Sequence, residues 1–79
     1  METTAANINP GAAINANCII TKTGYTPIGI LSVQPVGAGL LVGGAHILYG
    51  TNAKIKLYNN GTSAIPDAQA IFTVLYSKN

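Results

Sequence analysis

Apolar and polar side chains alternate with a period of two along much of this chain, the pattern of strands with one buried face. Lys54-Ile55-Lys56-Leu57-Tyr58 is the clearest run and predicts a strand with Ile55 and Leu57 inward. Ala5–Pro10 predicts a short first strand, stopped by Pro10-Gly11. Asn15–Thr23 predicts a second, whose Ile19-Ile20-Thr21 stretch is β-branched and suits a pleated surface. After a turn at Thr23-Gly24, Pro27–Val33 predicts a third. Period-two alternation places Ile28 and Ile30 on one face and Gly29, Leu31 and Val33 on the other. Gln34–Gly39, rich in proline and glycine, reads as a loop. Leu40–Tyr49 reads as a fourth strand, bulged or broken at Gly43-Gly44. Gly50-Thr51-Asn52 turns the chain into the Lys54–Tyr58 strand.

Asn60-Gly61, within the turn Asn59–Thr62, is the strongest short hairpin signal. The connection continues as loop through Pro66-Asp67. Gln69–Ser77 predicts the last strand. Its Ile71-Phe72-Thr73-Val74-Leu75-Tyr76 stretch is apolar on both faces except at Thr73, so both faces want cover: one from the core, one from a neighbouring sheet or subunit.

No stretch of twelve residues combines helical periodicity with caps and freedom from Gly and Pro. The fold class is therefore all-β, a compact antiparallel β-sandwich or barrel of six to seven short strands, jelly-roll-like. Residues 1–14 read as a lead-in with the first strand, and 15–79 as the sandwich. The weakly polar stretch from Ile28 to Gly50 approaches the ~20 residues that span a bilayer. Its Pro35, the preceding Pro27 and its glycines at 37, 39, 43 and 44 disfavour a membrane helix.

Size and charge sharpen the picture. A chain of 79 residues makes one small domain, which buries only about 60% of its unfolded surface. Small domains compensate with disulfides, metals or association. Cys18 is the only cysteine, so no internal disulfide forms. Cys18, His46, Asp67 and Glu2 show no local ligand spacing, so neither metal nor other cofactor is expected. Self-association is left. The charged residues are Glu2, Lys22, Lys54, Lys56, Asp67 and Lys78, 8% of the chain against about a quarter in ordinary domains, and none falls between Lys22 and Lys54. With net charge +2 and no arginine, a nucleic-acid partner is not expected. Met1-Glu2-Thr3-Thr4 carries no signal-peptide pattern.

The chemical inventory does not assemble a catalyst. Glycosidic hydrolysis wants two carboxylates, and Asp67 after Pro66 reads as a turn residue. Cys18 beside Ile19-Ile20 reads as a small buried hydrophobe rather than a nucleophile. No enzyme is expected. His46 reads as a structural histidine, with a threefold axis as its alternative setting, where one histidine per subunit would supply three ligands. Gly37, Gly39, Gly43 and Gly44 read as bends, not a phosphate cradle. Tyr25, Tyr49, Tyr58 and Tyr76 are the candidate interface or ligand contacts, because tyrosine is amphipathic and loses little entropy when fixed. Asn60-Gly61-Thr62 matches a glycosylation sequon, which a turn explains as well.

Lys22-Thr23-Gly24-Tyr25-Thr26-Pro27-Ile28-Gly29-Ile30, then the turn Asn59–Ala64, then the closing Phe72-Thr73-Val74-Leu75-Tyr76-Ser77-Lys78 resemble, in order and spacing, a small β-sandwich domain of tailed bacteriophages. That domain recurs at the C-terminal ends of fibre, baseplate and head-fibre proteins of phages and prophages of Gram-positive hosts. The resemblance covers about residues 15 to 78, and the Gly-rich Pro35–Gly50 segment departs from it. It implies a homo-oligomer, usually a trimer, on the virion surface among other virion proteins, attaching to a host surface such as cell-wall glycan. The alternative is a capsid-decorating or assembly protein without a receptor. The resemblance supplies no site residues.

Overall fold

A computed structural model describes all 79 residues, and strands make up its whole framework. The strands are β1 (Ala6–Ile8), β2 (Ala13–Ile19), β3 (Tyr25–Val36), β4 (Leu40–Leu48), β5 (Asn52–Asn59) and β6 (Ile65–Lys78). They form two antiparallel three-stranded sheets, ordered β1-β6-β3 and β2-β5-β4. β1 pairs with β6, β2 with β5, and β3 runs beside β4 across the sandwich. The chain is thus a long ribbon doubled back at Gly37–Gly39 and rolled into two layers, the winding of a jelly roll. The expected all-β antiparallel sandwich is the fold observed, with six strands.

The molecule measures 46 × 16 × 16 Å. Fourteen residues of β6, at ~3.3 Å each, run its full length. Between the sheets lie Ile8, Ile65, Ala68, Ala70 and Phe72 from one layer and Ala16, Leu40, Ala53, Ile55 and Leu57 from the other, with Ile20 at one end. Four of these are alanines, which lets the layers lie close but leaves little apolar volume between them. Only 13 of the 79 residues are buried, so the core is small. Residues 1–14 carry β1 and the start of β2 and place Thr3 and Ile8 among the buried residues. The terminal segment pairs with β6: the Met1 amine donates to the Phe72 carbonyl (2.9 Å), and the Ala70 amide donates to Thr3 Oγ1 (3.0 Å).

β5 follows the expected alternation, with Ala53, Ile55 and Leu57 buried and Lys54, Lys56 and Tyr58 on the outer face. Three other stretches depart from it for identifiable reasons. β3 continues through Gln34-Pro35-Val36, where a loop is expected. It is an edge of its sheet, so only half its backbone groups are needed by a neighbour and proline is tolerated. β6 begins at Ile65, and Pro66-Asp67 form a bulge rather than loop, because three steps from Ile65 to Ala68 face two from Ile8 to Ala6. β3 carries two further bulges, at Ile28 and at Leu31, each an extra residue against β6. These two bulges break the period of two. Ile30 and Val33 pack on the core, while Ile28 and Leu31 both turn outward. A glycine bulge at Gly43 in β4 matches expectation.

Asn60-Gly61 is not the tight hairpin. That geometry belongs to Tyr49-Gly50 between β4 and β5, where φ is +54° and +68° and the Thr51 amide donates to the Leu48 carbonyl (3.2 Å). The Asn60–Ala64 loop instead crosses from one sheet to the other, organised by Asn59, which is fully buried. Its Nδ2 donates to the carbonyls of Ile8 and Ser63, both at 2.9 Å, and its Oδ1 accepts from the Gly61 amide at 2.9 Å. Its backbone amide donates to Ala12 and its carbonyl accepts from Gly11. One residue thereby ties β1, the β1–β2 turn, the end of β5 and the β5–β6 loop.

Asn59→Ala strips partners from one amide and two carbonyls at once, at a cost of about 3 kcal/mol. In a domain of this size the midpoint of thermal unfolding followed by circular dichroism is expected to fall by roughly 15 °C. The exposed neighbour Asn60→Ala should leave it unchanged within a degree or two.

Candidate functional site

Two broad faces are left to solvent once the core is built, and their chemistry differs. The outer face of β1-β6-β3 carries Ile28, Leu31, Ser32, Gln34 and Val36 from β3 and Ile71, Thr73 and Leu75 from β6. Ile28 and Leu31 are 58% and 62% exposed, and Ile71 and Leu75 are exposed beside them. β3 contains no charged residue, and the charges of β6 are confined to Asp67 and Lys78 near its ends. The two β3 bulges make this face more apolar than regular pairing would, by adding one large side chain each to the outward row. This is the uncovered side of β6, the strand whose sequence is apolar on both faces.

The outer face of β2-β5-β4 is polar and cationic. Cross-strand register sets Asn15, Lys56 and Gly44 in one row and Asn17, Lys54 and His46 in the next. Ala13, Tyr58 and Leu41 form a third row toward the Asn59 end. His46 is exposed on this face, remote from the apolar one.

The tyrosines divide between the two ends. Tyr25 and Tyr76 meet edge to face, with ring centroids 6.3 Å apart. Lys22 Nζ lies 4.5 Å from the Tyr25 ring centre and 5.5 Å from that of Tyr76. Tyr76 Oη donates to the Ile20 carbonyl at 2.7 Å, joining the two layers. These rings are half-buried and hold the sandwich closed. Tyr49, at the same end, is 89% exposed and sits in the left-handed region, which is costly for a side chain with Cβ. A large aromatic is thus displayed where asparagine or glycine would be cheaper. Tyr58, at the other end, is half-buried on the cationic face.

Cys18 is half-buried and packs against the core. Glu2 bridges to Ile71 at the sheet edge, and Asp67 lies in the β6 bulge. No three histidine, cysteine or acidic side chains gather as a metal-binding group. What the fold presents is two outer faces of different chemistry, one apolar and one polar and cationic. Sequence reasoning singled out the tyrosines but missed both faces. Lys54 and Lys56 carried a signal in their spacing, two residues apart on the outer side of one strand. The apolar face carried half a signal, in the two-sided apolar pattern of β6.

Tyr76→Phe keeps the ring but leaves the Ile20 carbonyl without its donor. Chemical denaturation should show a loss of about 1 kcal/mol with an unchanged denaturant slope. Tyr49→Asn relieves the left-handed strain and should gain about 1 kcal/mol in the same assay.

Comparison with protein-family models, with curated proteins and with solved structures finds no match to this chain.

Proposed function

We propose that this protein is a non-enzymatic, self-associating virion surface domain of the fibre, head-fibre or baseplate type, mediating attachment to a host. The observation that carries the association is the apolar outer face of β3 and β6, with Ile28, Leu31, Ile71 and Leu75 exposed on it and Glu2 beside Ile71 as the one charge at its edge. β6, β3 and β1, of 14, 12 and 3 residues at ~3.3 Å per residue and ~4.8 Å apart, give that face about 460 Å2, somewhat over half of one partner's share of a standard interface. An apolar surface with a single charge at its edge suits a second copy of itself, because it offers little charge pattern for an unlike partner to read. The small alanine-lined core points the same way, since association supplies the apolar burial that one protomer lacks.

Three copies around an axis, with these faces inward, is the arrangement proposed. It leaves the cationic face, His46 and the displayed Tyr49 turned outward. Attachment then gains from multiplicity: several weak contacts held in one assembly bind far more tightly than one. A purely capsid-decorating role would use the same apolar face and need nothing from the cationic one.

Light scattering across a range of concentrations is the test. Wild-type protein is expected at three times the protomer mass. Leu31→Lys combined with Ile71→Lys sets charges on the face without touching the core, and should yield a folded monomer. A wild-type monomer at micromolar concentration would overturn the self-association.

A further inference from the structure

The cationic face contains a groove of about 240 Å3, lined by Asn15, Gly43, Gly44, His46, Lys54 and Lys56, with no apolar side chain among them. Its floor is made by the β4 bulge. Gly43 is the extra residue there, and the Lys56 stem lies across it: an added Cβ at Gly43 would meet Lys56 Cγ and Cδ at 3.4 Å. The absence of a side chain at Gly43 and Gly44 opens the sheet surface and leaves the two lysines on the middle strand accessible from above.

The charges are unbalanced. Lys54 and Lys56 stand on one side of β5, about 7 Å apart by strand geometry. His46 flanks Lys54 from β4, and Asn15 flanks Lys56 from β2. The only acidic side chains, Glu2 and Asp67, belong with the other sheet. Two ammonium groups without a carboxylate, set in a concave polar surface, repel one another and attract an anion. Asn15, in the lining, adds a paired donor and acceptor of the kind that meets hydroxyl groups. Arginine is lacking, and the one tyrosine of this face, Tyr58, lies outside the groove lining, so a stack of nucleic-acid bases finds no platform.

We propose that this groove binds an acidic carbohydrate, a linear glycan whose carboxylate or other anionic groups lie along β5 against Lys54 and Lys56 while its hydroxyls meet Asn15. The proposal deepens the attachment role and rests on it for its setting, but the groove is complete within one protomer. Occupancy requires a sugar ring over the Gly43-Gly44 bulge and an acidic group within reach of each ammonium.

Titration of the 15N-labelled full chain with oligogalacturonate, followed by amide chemical shifts, tests this. Shifts are expected at Asn15, Gly43, Gly44, His46, Lys54 and Lys56, weakening as salt is raised. Lys54→Gln and Lys56→Gln should each lower affinity about fivefold and leave the thermal midpoint and the light-scattering mass unchanged. The doubly charged apolar-face variant, monomeric or not, should bind as the wild type does, which separates failure of the groove from failure of self-association. Shifts located elsewhere, equal binding of an uncharged galactose oligomer, or indifference to both lysine substitutions would overturn the assignment. Tighter binding of oligothymidylate would overturn it as well, in favour of a phosphodiester ligand.

Discussion

Asn59 is the residue on which the winding of this sandwich depends. Rolling a ribbon into two layers forces the chain to leave one sheet and enter the other, and each crossing exposes backbone groups that neither sheet can pair. At the β5–β6 crossing one buried amide side chain meets three of those groups, while its own backbone joins the β1–β2 turn. Its surroundings are correspondingly tight. An added Cβ at Gly39 would lie 3.2 Å from Gly61, so the β3–β4 tip and the β5–β6 loop touch through two glycines. Aspartate would not substitute, because it has no donors for the carbonyls of Ile8 and Ser63.

The opposite end is closed by different physics. There Tyr76 reaches across to Ile20, and Tyr25 and Lys22 stack around its ring. Between these two closures the core is thin. Alanine at positions 16, 53, 68 and 70 keeps the layers near each other, and Ile19, Ile28, Leu31, Leu41, Ile71 and Leu75 lie on outer surfaces. Specificity of the fold therefore comes largely from polar closures at the two ends. The middle supplies register and little volume.

Much of this architecture was legible in the residues, and the misses share a cause. β5 was readable because Lys54 to Tyr58 alternates without interruption, and the β4 bulge because two adjacent glycines mark it. The bulges of β3 were invisible: alternation sets Ile28 and Leu31 on opposite faces, and only pairing with a shorter stretch of β6 turns both outward. Pro35 and Pro66 suggested loops because proline's effect depends on whether its side of the strand is paired, which is a property of the sheet and not of the segment. Asn60-Gly61 promised a hairpin, but the asparagine just before it captured the Gly61 amide and bent the chain elsewhere. The two outer faces suffered most, since each is assembled from strands distant in sequence.

β6 runs the full length of the molecule and is held by β3 from Gln69 to Lys78 on one side and by β1 with the terminal segment from Ile65 to Phe72 on the other. A pull directed along that strand would strain its ladder of antiparallel hydrogen bonds in shear, all together, instead of peeling them apart one after another. The long axis is thus the mechanically stiff direction of the domain, and the slender cross-section is its compliant one.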